Sequence, residues 1–424
     1  MDNKIIHTSD VKSMITSNLR SYSMFIMLVM IMVIFSVITN GVNFIPRNFI
    51  NVFFQNSYVI ILAVGMVLII ITQNIDLSVG SVCAFVGALS AMIYNSGIGM
   101  PATVIISILL GVVIGAYQGV WVAYGKMPAF IVTLSGMMLF RGLTYIITKV
   151  NPVSLKDIGY SLFSTGILDE IMFTGAIRSN YAGPPEELTQ RMILNALEES
   201  YRIGPYFPMP FVLAIILLVV FYFAEFSGRK KKIANEFEVS PLPVFITKLV
   251  LISLLVLGLA DRFARSRGLP VIVLVLGVTI FIFHFIMNNT VLGRYIYAVG
   301  GNPRSAKLSD INSELITFIV FLFMGGLTGL AAVVSTGYMN SALPQAGNLF
   351  ELDAIAACYV GGVSAGGGIG TVIGVVVGAL VMAAINNGMV LMNLGTHYQY
   401  VVKALVLVLA VFYDVYSRRK TGLG

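Results

Sequence analysis

The residues that could do chemistry in this chain are few. Its three histidines, His7, His284 and His397, are far apart and lack metal-ligand spacing. The run Gly366-Gly367-Gly368-Ile369-Gly370 has no lysine behind it, so it is not a phosphate loop of the G-x-x-x-x-G-K-[ST] kind. No catalytic residue, metal site or bound cofactor is therefore expected, and any ATP used must be bound by another polypeptide. Three unusual stretches remain. Asn74-Ile75-Asp76-Leu77-Ser78-Val79-Gly80 sets a carboxylate between two apolar runs. Glu351-Leu352-Asp353 sets two ahead of a short apolar run and a glycine cluster. Leu292–Ile311 is a polar, basic interruption between two long apolar runs.

Each stretch has a bland reading and a sharper one. A carboxylate facing lipid is costly, so it normally faces a cavity or a partner. Asp76 fits a simple cap on a helix beginning at Leu77 or Ser78, and equally a broken helix at membrane depth beside a solute path. Glu351 and Asp353 suit a broken or re-entrant segment in the other half of the chain. Paired interruptions of this kind point to a substrate path. Within Leu292–Ile311, Asn302 is a good N-cap and Pro303 suits the first helical position. The stretch is either an ordinary loop or a short helix that a soluble partner grips.

The elements that must position these residues are membrane helices. Hydrophobic residues make up 58% of the 424 and charged residues 11%, against about 25% charged in a soluble domain. Mean hydropathy is +0.91. The expected class is an all-α polytopic membrane protein of about 10–12 spans with broken or re-entrant segments. Apolar runs fall at 22–38, 58–71, 78–94, 102–122, 129–148, 211–225, 244–260, 271–287, 315–334, 354–364, 371–392 and 398–416. The run 78–94 starts polar, and 354–364 is too short to cross alone. Twelve crossings leave both ends inside, with most Lys and Arg on that side, as topology requires. The arginines of Asp261-Arg262-Phe263-Ala264-Arg265-Ser266-Arg267 fall outside and strain that count. The +7 net charge thus reflects topology, and no nucleic-acid partner is implied.

Smaller features have local readings. Segment 151–210 is a polar insertion, extracytoplasmic by this count, in which Leu188, Met192, Ile193, Leu197 and Tyr201 line one face of a helix opened by Pro184 and Pro185, either packed within the loop or lying on the membrane or an outside partner. Gly111, Gly115 and Gly119, and Gly366, Gly370, Gly374 and Gly378, have the spacing that lets helix backbones approach, within one subunit or between two. Arg141 and Lys403 interrupt apolar runs and are expected to snorkel outward, or to meet a substrate or outside partner. His284 is expected to be packed. Cys83 and Cys358 read as small buried hydrophobes.

The stretch GRYIYAVGGNPRSAKLSDI (Gly293–Ile311) resembles the cytoplasmic coupling loop of ABC permeases that import monosaccharides. The resemblance continues through NIDLSVGS, through Gly125–Ile146, and from Glu351 to Thr371 and Asn386 to Val415, and is nearest to xylose-type members. It covers 151–270 poorly. It implies a single permease domain over 1–424 with a coupling loop at 289–312. It implies translocation or signature roles for Asn74, Asp76, Ser78, Gly80, Glu351, Asp353, Gly361 and Gly362. Coupling to an ATPase falls to Arg294, Tyr297, Gly300, Asn302, Arg304 and Ala306. The implied partners are a cytoplasmic ABC ATPase subunit, an extracytoplasmic sugar-binding protein, a second permease copy and membrane lipid, in a bacterial cytoplasmic membrane. The competing reading is an ion-gradient-driven carrier, whose coupling charges could only be Asp76, Arg141 and Lys403. A channel has no filter motif to support it.

Overall fold

The structure is a computed structural model, and it describes residues 24–172, 206–235, 237, 239 and 242–421. The expected amphipathic helix of the insertion, with Leu188 and Tyr201, lies outside the described residues. The helices are α1 (Met24–Ile38), α2 (Pro46–Ile71), α3 (Val79–Asn95), α4 (Met100–Gly119), α5 (Ala129–Thr148), α6 (Leu162–Thr165), α7 (Met209–Ala234) and α8 (Leu242–Arg265). They continue as α9 (Val271–Asn289), α10 (Val291–Gly301), α11 (Pro303–Leu308), α12 (Ser313–Met339), α13 (Phe350–Val360), α14 (Val372–Leu391) and α15 (Thr396–Thr421). A π-helical turn, Val120–Tyr124, prolongs α4. Two short strands, β1 (Val153–Ser154) and β2 (Ser341–Ala342), pair antiparallel with Val153 opposite Ala342.

Among the described residues, eight helices are long and apolar enough to cross a membrane, and α1, α3 and the apolar part of α15 are shorter. The chain is a multi-pass membrane protein. The sequence reading expected twelve runs. Of the run 354–364, residues 354–360 lie in α13, which is itself only 11 residues long. The run at 58–71 starts twelve residues earlier, at Pro46. Polar side chains there do not end the helix, because they bond inside the protein: Asn56 Nδ2 donates to the Val52 carbonyl at 3.0 Å, and Asn386 Nδ2 to Asn56 Oδ1 at 3.2 Å.

The chain divides into two compact units, one built from 24–43, 52–164 and 274–421 and the other from 44–51 and 165–273. At the core of the first unit is α2. In its apolar window 89% of residues are buried, against 61% for α12 and 72% for α14. A helix apolar all round belongs inside, and from Ile60 to Ile71 α2 is sealed on every side. Helices α4 and α12 meet through glycine. A Cβ on Gly111 would overlap the Gly325 carbonyl oxygen, and one on Gly325 would overlap that of Gly111. A Cβ on Gly115 would overlap the Phe321 carbonyl, and one on Gly378 that of Ala357 on α13. The small-residue spacing thus serves packing within one chain at these positions. Beyond the far ends of α3 and α5, the Tyr94 hydroxyl and then the Gly159 N–H hold the Asp157 carboxyl below the usual carboxylate range.

The second unit is a helical hairpin, α7 packed on α8, with a knot of polar contacts beneath it. Only 11% of each helix's apolar window is buried, so most of its side chains face outward. The Asp169 carboxylate accepts from Leu269 N at 2.9 Å and Met209 N at 3.3 Å. The arginines that strained the topology count are all engaged here. Arg262 donates to the Phe44 carbonyl, Arg265 to Asp261 and Tyr206, and Arg267 to Glu170 at 2.8 Å.

Gly325→Ala should lower the thermal midpoint in detergent, because the new methyl group meets backbone that cannot rotate away. Gly142→Ala, in open space on α5, should not lower it, and replacing a helical glycine gains up to about 1 kcal/mol. Equal midpoints for Gly325→Ala and the parent chain would refute the α4–α12 packing.

Candidate translocation and coupling site

The first signature stretch is a break between two helices. Helix α2 ends at Ile71, and Gln73 turns the chain with φ +60°. The backbone then runs without helix to Ser78, and α3 starts at Val79. Asp76 is buried, and its Oδ1 accepts from Ser78 N at 2.8 Å and Ser78 Oγ at 2.7 Å. The expectation that Asp76 caps a helix starting at Leu77 or Ser78 is corrected. The helix begins later, and the carboxylate orders the turn before it. Gln118 Nε2 of α4 donates to Ser78 Oγ at 2.7 Å, and Thr133 Oγ1 of α5 to the Ile75 carbonyl at 3.2 Å. Non-helical backbone at membrane depth survives only when protein supplies such partners. Asn74 bonds back to Thr72, its Nδ2 lying 2.9 Å from the carbonyl oxygen.

The second stretch leads into α13 and touches the first. Gly347 has φ +75°, and it and Gly80 approach so closely that a Cβ on either would overlap the other's carbonyl oxygen. A Cβ on Gly80 would also press on Glu351 Oε2, at 2.5 Å. Phe350 stacks on Tyr58 of α2 with ring centroids 4.4 Å apart. Arg141 does not snorkel. Its Nη1 reaches the Pro344 carbonyl at 3.0 Å and the Ala346 carbonyl at 2.6 Å. Lys403 does not snorkel either, and pairs with the buried Asp353 at 2.7 Å. Both cations find acceptors within the chain, so neither needs to reach water. Gly361 is buried against Gly374 and Val375, whereas Gly362 is exposed with φ +81°. The string Gly362-Val363-Ser364-Ala365-Gly366 has the G-x-S-x-G spacing of a nucleophile turn, but it follows a helix rather than a strand and Ser364 is buried.

The coupling stretch is two helices. Thr290 caps α10, accepting from Gly293 N at 3.2 Å. Asn302 caps α11 as expected, with Oδ1 accepting from Arg304 N at 3.0 Å and Ser305 N at 3.1 Å, and Pro303 occupies the first position. The end of α10 is pressed onto both signature stretches. A Cβ on Gly300 would overlap the Ile71 carbonyl. Gln73 Nε2 donates to the Gly300 carbonyl at 2.8 Å, Gly368 N to the Ile71 carbonyl at 2.9 Å, and the Tyr297 hydroxyl to the Gly370 carbonyl at 2.7 Å. Gly300 and Ala306 are therefore buried within the chain, and Tyr297 is half-buried. Of the expected coupling set, these are the residues held inside the chain. Arg294, Asn302 and Arg304 are exposed, and so is Leu308, at 91%. A cleft of about 640 Å³, with both polar and apolar lining, opens between Gln73, Asn74, Lys126, Pro303 and Glu314.

Sequence reasoning missed Gln73, Gln118, Gly347 and Leu308. An amide within the apolar run 102–122 was a usable signal for Gln118. His284, expected to be packed, is exposed and bonds to Asn288.

Lys403→Met should strand the Asp353 carboxylate and destabilise the chain by about 3–5 kcal/mol. Asp353→Asn combined with Lys403→Met should recover most of that loss. Thermal unfolding of both variants in detergent checks the pair, and an unchanged midpoint for Lys403→Met would show that the ion pair contributes nothing.

Comparison with known proteins agrees with this architecture. The family model described as the permease component of branched-chain amino acid transport systems matches residues 48–411. The xylose transport system permease protein of Haemophilus influenzae is 36% identical over 404 residues, covering 95% of this chain and 98% of that one. The corresponding protein of Escherichia coli K12 is 34% identical over 406 residues, covering 95% and 94%. The ribose import permease protein of Escherichia coli K12 is 31% identical over 371 residues, covering 88% and 86%. No solved structure matches the chain. A match running from within α2 to within α15, with relatives aligned nearly end to end, establishes that the chain belongs to this family of transport-system permease components.

Proposed function

We propose that this chain is the membrane-spanning subunit of an ATP-driven importer that carries a monosaccharide, a pentose such as xylose, across the bacterial cytoplasmic membrane. The chain is a transport subunit and not an enzyme. The observation that carries the reading is the junction of Gly300, Ile71 and Gly368, which ties the polar helix pair α10–α11 to both broken segments. The printed names of the xylose and ribose relatives support the choice of cargo.

In this reading a separate cytoplasmic ATPase subunit grips α11. The exposed Leu308 is the apolar knob, with Arg304 and Lys307 beside it on the same short helix and Arg294 exposed on α10. ATPase closure displaces α11, and α10 carries the displacement to the end of α2 and the loop before α14. Asn74, Asp76, Ser78, Gly80, Glu351 and Asp353 lie on the segments that move. A partner shifts the membrane states only by its differential affinity for them, so the rigidity of the junction decides how much of that energy arrives. An extracytoplasmic binding protein delivers the sugar, a second copy of the chain completes the path, and both termini face the cytoplasm. No cofactor resides in this chain, and nucleic acid plays no part.

The gradient-driven alternative is the weaker one. It needs ionisable groups free to exchange ions within the membrane. Asp76 is engaged by Ser78, Asp353 by Lys403, and Arg141 by two carbonyl oxygens.

Uptake of labelled xylose and ribose in cells should require the chain together with an ATPase and a binding protein, and should survive an uncoupler while ATP is maintained. Uptake by the chain alone, abolished by the uncoupler, would overturn the reading. A second test separates docking from packing. Leu308→Glu should abolish co-purification of the ATPase with an unchanged thermal midpoint. Ala306→Arg should instead lower the midpoint, since overpacking a buried site costs about 1–3 kcal/mol. The opposite pattern would return the docking role to Ala306.

A further inference from the structure

We infer that the α7–α8 hairpin holds a binding site for an anionic phospholipid at its basic end. Helix α7 has 26 residues and is about 39 Å long, longer than the roughly 30 Å hydrocarbon core. Its last turns, which carry Arg229, Lys230, Lys231 and Lys232, therefore reach headgroup depth.

Two adjoining grooves lie there. One, of about 510 Å³, has an apolar wall that includes Phe223, Phe226, Ile233 and Leu242, with Arg229 and Lys230 on its rim. Phe223 is 76% exposed, and among the described residues nothing covers it. The other, of about 340 Å³, is lined by Glu225, Arg229, Lys232 and Lys248.

The charges do not cancel. Glu225 is taken by Lys248 at 2.6 Å. Arg229 lies 4.8 Å over the Phe245 ring, which fixes its guanidinium beside the groove. Among the described residues Lys230 and Lys232 have no ion-pair partner. Glu236 and Glu238 lie outside the described residues, and the stretch keeps an excess of cations even when they are counted.

Topology alone would explain basic residues at a helix end. It does not explain why two of them line a groove whose other wall is exposed phenylalanine and aliphatic carbon. An anion with an acyl chain satisfies both walls, whereas inorganic phosphate leaves the apolar one uncovered. Basic pockets between membrane helices suit anionic headgroups. The inference is independent of the cargo and of the ATPase.

The test is native mass spectrometry of the full chain, titrated with phosphatidylglycerol or phosphatidylcholine. Phosphatidylglycerol should be retained and phosphatidylcholine not. Lys230→Gln should weaken retention roughly fivefold, and Arg229→Gln with Lys230→Gln about twentyfold. Lys231→Gln removes the same charge from a residue outside both grooves and should stay within about twofold of the parent chain. Equal losses for Lys230→Gln and Lys231→Gln would reduce the site to diffuse attraction and overturn it. So would equal retention of the two lipids, or full displacement by inorganic phosphate. Lys230 is exposed, so its single substitution keeps the test valid even if the double variant misfolds.

Discussion

Backbone that leaves the helix inside a membrane protein must find every hydrogen-bond partner in protein, because lipid offers none. The two broken segments of this chain meet that requirement together. The turn before α3 is held by Asp76, Gln118 and Thr133, and the turn before α13 by Arg141. Between them Gly80 and Gly347 touch main chain to main chain. Helix α5 serves both turns, through Thr133 on one and Arg141 on the other. Beside this paired break α2 is sealed on all sides from Ile60 to Ile71.

A second constraint acts at the end of α2. The carbonyl of Ile71 has no helical partner of its own, as at any helix C-terminus. Gly368 of the glycine-rich loop supplies an N–H, and Gly300 of α10 packs directly over it. The same few atoms thus finish a helix, order a loop and attach the α10–α11 pair.

The sequence made local features legible and long-range ones not. The Asn302-Pro303 helix start could be read because capping depends on neighbours a few residues away. The shortness of α13 could be read from its length. The meeting of Gly80 with Gly347 could not, since nothing in either stretch names its partner 267 residues away. Arg141 and Lys403 were misread for the same reason: a charge in an apolar run looks unpaired until the fold brings its acceptor. The start of α2 was misplaced because Asn48, Asn51 and Asn56 resemble a loop by composition. The burial of Ala306 could not be read from its place in a polar stretch, although one face of even a short helix must rest on something. The family could be recognised from its blocks alone, and the match over 48–411 bears that out.

The attachment of α10 has one further consequence. Most mechanical connections in proteins run through side chains, which have rotameric slack and can absorb a small displacement. The contact of Gly300 with Ile71 has none, because the facing atoms are all main chain. It behaves as a stiff rod end rather than a spring. Side chains enter the joint only around that contact, where Gln73 holds the Gly300 carbonyl and Tyr297 the Gly370 carbonyl. Gly300 itself therefore admits no larger residue, and any adjustment of the joint falls to Gln73 and Tyr297.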